Sequence, residues 1–458
     1  MKSFSITELA KIIKARPTKD TGAFTGVSTD SRTTTPGHCF FAIPGDNFDG
    51  HDYLTDAFDN GAVCAVVSKD DTVEKLPGKT LLKVDDTIKA LGDLAADYRR
   101  QINPKVIAVT GSVGKTTTRQ IAYHVLSQHF RVRQAPKNFN NYIGLPLTLL
   151  DADTNDQIVI AELGANHPGE IAYLTRIAQP DIAVITNVHP AHLEGFATLK
   201  TILQEKLSIS QGLRHNGTLI INADCERLLE ACRSTRTEFT TFGKSNQCDV
   251  QARSITLSAS TSHFTIDETP VNLPLSGAGN VENALAAFSI CRQFKITTND
   301  FAETIKTLPS VPMRAEILQI GNLTVLNDCY NANPASVKNA LDILVNLGSE
   351  KKQRLVFICG DMAELGKHSE KLHAQLADSI TKAKVRLLLT VGDLAKVTAE
   401  TAKTHAQYDL HTKSFADTVS ACNNLHKYVK DYDIVLVKGS RVAKLELAVE
   451  KLKELFGR

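Results

Sequence analysis

Val106-Ile107-Ala108-Val109-Thr110-Gly111-Ser112-Val113-Gly114-Lys115-Thr116-Thr117 decides how this chain folds. Val106 to Thr110 read as a buried strand and a glycine turn follows. Ile121, Ala122, Val125 and Leu126 then share one face of a helix. Backbone N–H groups of such a turn wrap phosphate oxygens, and the helix N-terminus adds positive potential. Gly111, Ser112, Val113, Gly114, Lys115, Thr116 and Thr117 are therefore candidate nucleotide contacts. Lys115 would reach the terminal phosphates and the Thr116 hydroxyl a magnesium ion. The generic pattern asks for Gly where Val109 stands, so this is a shorter variant.

Outward from this loop, Ile158 to Leu163, Ile182 to Asn187 and Thr218 to Asn222 read as further buried strands between helical stretches. That alternation predicts a parallel sheet covered on both faces. The stretch from Val250 to Leu275 is strand-rich and polar, as an antiparallel flank would be. After Pro309-Ser310-Val311-Pro312 the strand-then-glycine theme recurs at Leu355 to Gly360, Leu387 to Gly392 and Ile434 to Gly439. A second doubly wound sheet is expected there. Before Asn103-Pro104, short strands at Cys39 to Ile43, Val63 to Val67 and Leu81 to Val84 precede a helix from Ile88 to Arg100. The fold class expected is α/β with three domains: residues 1–103, 104–310 and 311–458.

The 458 residues allow two to four domains. With 52 basic and 50 acidic residues the net charge is +2, which argues against a nucleic-acid or anionic-membrane surface. No apolar run approaches the ~18 residues of a membrane span. Glu8 and Lys11 fall where a signal peptide needs its apolar stretch. Nine scattered cysteines with no C-x-x-C pair argue against a zinc site or a disulfide framework. A reduced, cytoplasmic, multidomain protein is expected.

Open α/β sheets bind ligands beyond the carboxyl ends of their strands, so those ends hold the remaining candidates. Glu162 ends an apolar strand, where a carboxylate is costly unless paired or metal-bound; a solvated strand end is the plain alternative. His189 and His192 follow the next strand, and spacing does not choose between a metal ligand and a surface loop for either. Lys206 reads as an ordinary helix lysine. Asn138, Asn140 and Asn141 would orient a polar ligand or build an Asx-rich turn. Asp328, Tyr330, Asn331 and Asn333, then Asp361, then Lys438 to Arg441, occupy strand ends in the last block. Their shared placement suggests a cleft between two sheets.

Taken together these segments resemble the Mur ligase family, ATP-dependent amide-forming enzymes of bacterial cell-wall precursor synthesis. The resemblance runs along nearly the whole chain, and T-G-S-V-G-K-T-T is similar to the family's own phosphate loop. Tyr330-Asn331-Ala332-Asn333-Pro334, Gly360 to Gly366 and Val437 to Arg441 are most like the member that adds D-alanyl-D-alanine; no D-N-P-R motif of the diamino-acid-adding member occurs. The resemblance implies a UDP-sugar-binding first domain, with Ser31 and Arg32 at the substrate. It implies a central phosphate-loop ATPase-type domain and a C-terminal Rossmann-like domain. It implies two magnesium ions, with Glu162 and His192 as ligands, Thr116 beside the ATP-bound ion, and Lys206, carbamoylated by carbon dioxide, as an anionic ligand. Asn280 and Asn283 match an adenine-side motif, although Gly279 stands where the family has His; Arg314 and Asp328 match positions used on ATP. The substrates implied are UDP-N-acetylmuramoyl-tripeptide and D-alanyl-D-alanine, acted on by a monomer without nucleic acid. Other readings are a different Mur-type or folylpolyglutamate ligase, a phosphate-loop switch or motor, and a nucleotide-binding scaffold without turnover.

Overall fold

The structure, a computed structural model, describes residues 1–45, 47–69, 72–136, 139–234, 238–245 and 248–457. Among these residues the central feature is a seven-stranded sheet, entirely parallel. Its strands are β1 (Lys105–Thr110), β2 (Val132–Gln134), β3 (Ile158–Glu162), β4 (Ile182–Ile185), β5 (Thr218–Asn222), β6 (Phe239–Gly243) and β7 (Val250–Gln251). The spatial order is β7-β6-β5-β4-β1-β3-β2. β1 sits inside because Val106 to Thr110 are all buried, as a strand covered on both faces requires. The antiparallel flank is also present, as a three-stranded sheet of Arg253–Leu257, Ser262–Ile266 and Thr269–Leu273. The short strands β2 and β6 carry no strong apolar run, and the sequence pattern did not mark them.

Helix α2 (Lys115–Leu126) follows β1, α3 (Glu170–Ala178) and α4 (Leu199–Leu207) come later in the chain, and α5 (Ala278–Arg292) packs across α2. From Val281 onward α5 is buried almost all round, with Ala284, Ala286 and Ala287 letting α2 and the sheet approach closely.

The first domain carries a five-stranded sheet, ordered Arg16–Pro17, Leu81–Lys83, Cys64–Val67, His38–Phe41, Gly26–Ser28. Its last helix, α1 (Thr87–Ile102), does more than connect. Phe4, Leu9, Phe24, Leu91 and Leu94 share one continuous core with Leu145, Leu149 and Ile171 of the central domain. The Tyr98 hydroxyl donates to the Ala152 carbonyl at 2.7 Å. Arg99, 1% exposed, donates to the carbonyls of Ala178 (2.9 Å) and Gln179 (2.9 Å) at the end of α3, and to Asp181 (3.2 Å). The cation thereby meets the negative end of a helix. The first two domains are thus one packed unit. Arg99→Met should cost about 3 kcal/mol, since it leaves two buried carbonyls unpaired and weakens a buried ion pair. Urea unfolding followed by circular dichroism would register this as an earlier transition; an unchanged midpoint would refute the clamp.

The third domain holds β8 (Glu316–Ile320), β9 (Leu323–Asn327), β10 (Leu355–Gly360), β11 (Leu387–Val391), β12 (His411–Phe415) and β13 (Ile434–Lys438). Their order is β8-β9-β13-β10-β11-β12, parallel except for β8. Alternate residues feed two separate cores: Phe357 and Leu436 pack under α6 (Pro334–Lys351) and α7 (Ser369–Lys382), whereas Val356, Ile358 and Val437 face the C-terminal helix Glu446–Phe456. This Rossmann-like layering matches the sequence expectation.

Candidate active site

The carboxyl ends of the two parallel sheets face one another across a cleft of about 1110 Å³. On the central side the phosphate loop is braced from behind by the segment after β4. The Val113 N–H donates to Asn187 Oδ1 (2.9 Å), and Asn187 Nδ2 returns to the Val113 carbonyl (3.1 Å). Thr186 Oγ1 donates to the same carbonyl at 2.6 Å, and Ser112 exchanges hydrogen bonds with the His189 backbone. Two glycines make this packing possible. Gly111 (φ +144°) leaves no room for a Cβ beside Thr186, nor does Gly114 (φ +89°) beside Asn283. Gly111 lies behind the loop, whereas Ser112 to Thr117 line the cleft. Thr186 and Asn187 were not singled out from sequence, because an Asn after a strand carries no pattern of its own.

Lys115 opens α2, and its Nζ donates to the Gly111 carbonyl at 2.6 Å. Burial lowers its pKa to about 8, with Glu162 opposing that shift and Arg314 adding to it. Glu162, 2% exposed, is not a solvated strand end. Its Oε1 accepts from Arg119 Nε at 2.6 Å and its Oε2 from Thr116 Oγ1 at 3.1 Å. Arg119 is buried as well, and it anchors to the Ala135 carbonyl at 2.6 Å.

Lys206 is the largest departure from a reading by residue type. It is 2% exposed, and its Nζ lies 5.7 Å from the centre of the Phe196 ring, with no carboxylate paired to it among the described residues. Burial, with repulsion from Lys115, lowers its pKa to about 7. Its neighbour Glu205 is buried too, and accepts from the N–H groups of Gly169 (2.7 Å) and Ile171 (2.6 Å), which pins α4 to the start of α3. His192 and His189 both line the cleft. His192 sits in the left-handed region (φ +53°), and Glu364 Oε2 of the third domain approaches its Nδ1 to 2.5 Å.

Asn280 and Asn283 line the cleft from the start of α5, where Asn280 Nδ2 holds the Ser276 carbonyl (2.8 Å) and Asn283 Nδ2 donates to Asn280 Oδ1 (3.2 Å). A Cβ at Gly279 would come within 2.7 Å of Asn339 Nδ2 on α6, so a side chain there meets the third domain. From that domain, Arg314 lies 4.2 Å over the Tyr330 ring, and the Ala315 N–H donates to Asp328 Oδ1 (3.0 Å). Lys438, 2% exposed, donates to Asp328 Oδ2 (2.6 Å) and the Asn331 carbonyl (2.9 Å), ordering this whole loop. Its ammonium was only a strand-end candidate from sequence.

Several expected substrate contacts have local duties. Asn141 Oδ1 accepts from the N–H groups of Ile143 and Gly144, the Asx turn that sequence left open. Asn333 caps α6 in a reciprocal pair with Ser336. Both still line the cleft. Ser31 is buried, Arg32 pairs with Asp30 (2.7 Å), and neither lines the cleft. Asn138 lies outside the described residues. Among the described residues no three His, Cys, Asp or Glu side chains form a ready-made cation cage.

Models of the Mur ligase family match in three consecutive pieces: the catalytic domain over residues 23–99, the middle domain over 109–291 and the glutamate ligase domain over 313–441. A relative from Bacillus subtilis, a UDP-N-acetylmuramoyl-tripeptide–D-alanyl-D-alanine ligase, is 36% identical over 454 residues, 98% of each chain. The chain belongs to the Mur ligase family. Among solved Mur ligases, a MurF crystal structure from Acinetobacter baumannii superposes with a TM-score of 0.89 at 28% identity over 99% of both chains. The MurF ligase of Thermotoga maritima in complex with ADP superposes with a TM-score of 0.80 at 25% identity, over 94% of this chain and 97% of that one.

Proposed function

We propose that this Mur ligase joins D-alanyl-D-alanine to the tripeptide carboxylate of UDP-N-acetylmuramoyl-tripeptide, using ATP and an acyl-phosphate intermediate. The observation that carries the reading is the single cleft in which Lys115, Thr116 and Glu162 face Arg314, Asp328 and Lys438 of another domain. A hydrolytic switch or motor needs no second acceptor domain over its phosphate loop. The relatives' activity and the MurF likeness supply the substrates.

In this reading the loop N–H groups and Lys115 hold the terminal phosphates while the tripeptide carboxylate attacks the γ-phosphorus and ADP leaves. Such transfer needs positioning and charge neutralisation above all. Arg314 and Asp328 grip the nucleotide from the third domain, with Asn280 and Asn283 on its base side. The dipeptide amine then attacks the acyl carbon, the C–O bond to phosphate breaks, and an amide, inorganic phosphate and a proton result. Tyr330, Asn331 and Asn333 would receive the dipeptide, Asn138 and Asn141 would bind the peptide, and Ser31 and Arg32 would bind the UDP end. Packing of the third domain over the cleft keeps water from the acyl phosphate.

The donor set suits magnesium. Thr116 Oγ1 and Glu162 Oε2 are 3.1 Å apart, close to the roughly 2.9 Å between adjacent ligands of a magnesium octahedron. Lys206 suits carbamoylation, because burial lowers its pKa to about 7, and its neutral amine attacks carbon dioxide to give a carbamate and a proton. An ammonium there would repel the cation; a carbamate, with His192, adds ligands. Two such ions, with Lys115, would neutralise phosphate charge. No helix among the described residues is long and apolar enough to cross a membrane, and we place the enzyme in the cytoplasm as a monomer, with domain borders at 103/104 and 310/311.

Phosphate release from ATP in the presence of UDP-N-acetylmuramoyl-tripeptide should depend on D-alanyl-D-alanine. Release that ignores the dipeptide, or that follows a single amino acid instead, would show the substrate assignment to be wrong.

A further inference from the structure

The loop Asp361 to Gly366, between β10 and α7, has a job that the reaction scheme above leaves unassigned. Three contacts fix it from within the third domain. His373 is fully buried, donates from Nδ1 to the Ser369 carbonyl (2.7 Å), and accepts the Met362 N–H on Nε2 (2.9 Å). Asp361 Oδ1 accepts from the Ala395 N–H at 2.6 Å, and its carbonyl from the Ser440 N–H at 2.9 Å. Held this way, the loop places Glu364 in the left-handed region, at φ +64°. For a residue with a Cβ that backbone is unfavourable, and it persists where its surroundings enforce it.

The product of that enforced geometry is a contact across the domain boundary. The Glu364 carbonyl accepts from the Glu194 N–H of the central domain at 3.0 Å. Its carboxylate Oε2 stands 2.5 Å from His192 Nδ1. That nitrogen is shielded from solvent, and no aligned hydrogen-bond partner reaches it among the described residues, so the carboxylate is the charge it meets. A ligating imidazole needs its second nitrogen occupied by an outer acceptor, which sets the ring's orientation and basicity.

We propose that Glu364 is a positioning residue through which the third domain completes the cation site: its carboxylate holds His192 by Nδ1 and leaves Nε2 as the ligating nitrogen. The inference rests on the assignment of His192 to magnesium. It makes cation binding depend on domain docking, because one side of the ring belongs to the central domain and the holder to the third. Chemistry is thereby tied to the arrangement that excludes water.

The test is a double-mutant cycle read as Mn²⁺ affinity, by electron paramagnetic resonance of free Mn²⁺, on the full chain with a non-hydrolysable ATP analogue. Glu364→Gln keeps the backbone bond to Glu194 and removes the charge. It should weaken Mn²⁺ binding by about tenfold or more in the native background, and by nothing in the His192→Ala background. If His192→Ala weakens binding while Glu364→Gln does not, or if Glu364→Gln acts equally in both backgrounds, the positioning role is overturned and the cation site stands. If His192→Ala leaves Mn²⁺ affinity unchanged, the assignment of His192 itself fails and this inference falls with it.

Discussion

Lys115→Ala should lower turnover by about a thousandfold or more, measured as phosphate release with both substrates saturating. Lys115 begins α2, inside the loop, where a terminal phosphate would be wrapped. Without a ligand its ammonium is satisfied by one hydrogen bond to the Gly111 carbonyl, and burial draws its pKa down to about 8. An arriving polyphosphate adds anionic oxygens beside it and favours the charged form further. Charge developing during transfer then meets a cation already in place, in surroundings that screen it little. Alanine removes that cation and leaves the braces from Thr186 and Asn187 intact, so the thermal unfolding midpoint should stay within a few degrees, roughly the shift that 1 kcal/mol gives. Turnover within tenfold of the native enzyme would refute the assignment of the phosphate loop.

Lys206→Met should lose at least about a hundredfold in turnover while the protein unfolds no earlier than the native form. The two halves of this expectation have one cause. Before it meets carbon dioxide, Lys206 is buried beside a ring face and a second lysine with no carboxylate paired to it, so a methionine of similar length removes a cost of folding. The same substitution removes the amine that carbon dioxide would convert to an anionic ligand. Intact mass under neutral, non-denaturing conditions should show the native chain heavier by one carbon dioxide, and the variant without it. A variant that turns over normally would show that Lys206 is a structural lysine after all.

Lys206 also marks the limit of what spacing reveals. On α4 it follows Glu205, and both look like members of a solvated helical face. Tertiary contacts reverse that reading: Glu205 is spent on the start of α3, and α4 is pressed so closely to the central domain that both charges are buried. Only the family resemblance pointed to Lys206 before the packing was known. The phosphate loop was legible for the opposite reason. Its glycines, lysine and threonines act through backbone geometry that seven consecutive residues already specify.

Asn141 and Asn333 show a second limit. An amide beyond a strand end suits a ligand and a turn equally, and the hydrogen-bond partners decide; here each serves its own backbone first while lining the cleft. His189 and His192 were equivalent in sequence. His192 differs because Glu364, more than 150 residues away in the chain, comes to its ring.

By itself, then, the sequence determined the α/β class, the parallel central sheet, the second doubly wound sheet and the phosphate loop, all of which follow from local periodicity and turn chemistry. Tertiary structure alone decided that the first two domains share one core through α1, that Lys206 is buried, and that Glu364 reaches His192. Each of these depends on which surfaces meet after the chain has folded back on itself, and burial, which sets the charge state of a lysine or the partner of a histidine, is a property of that meeting.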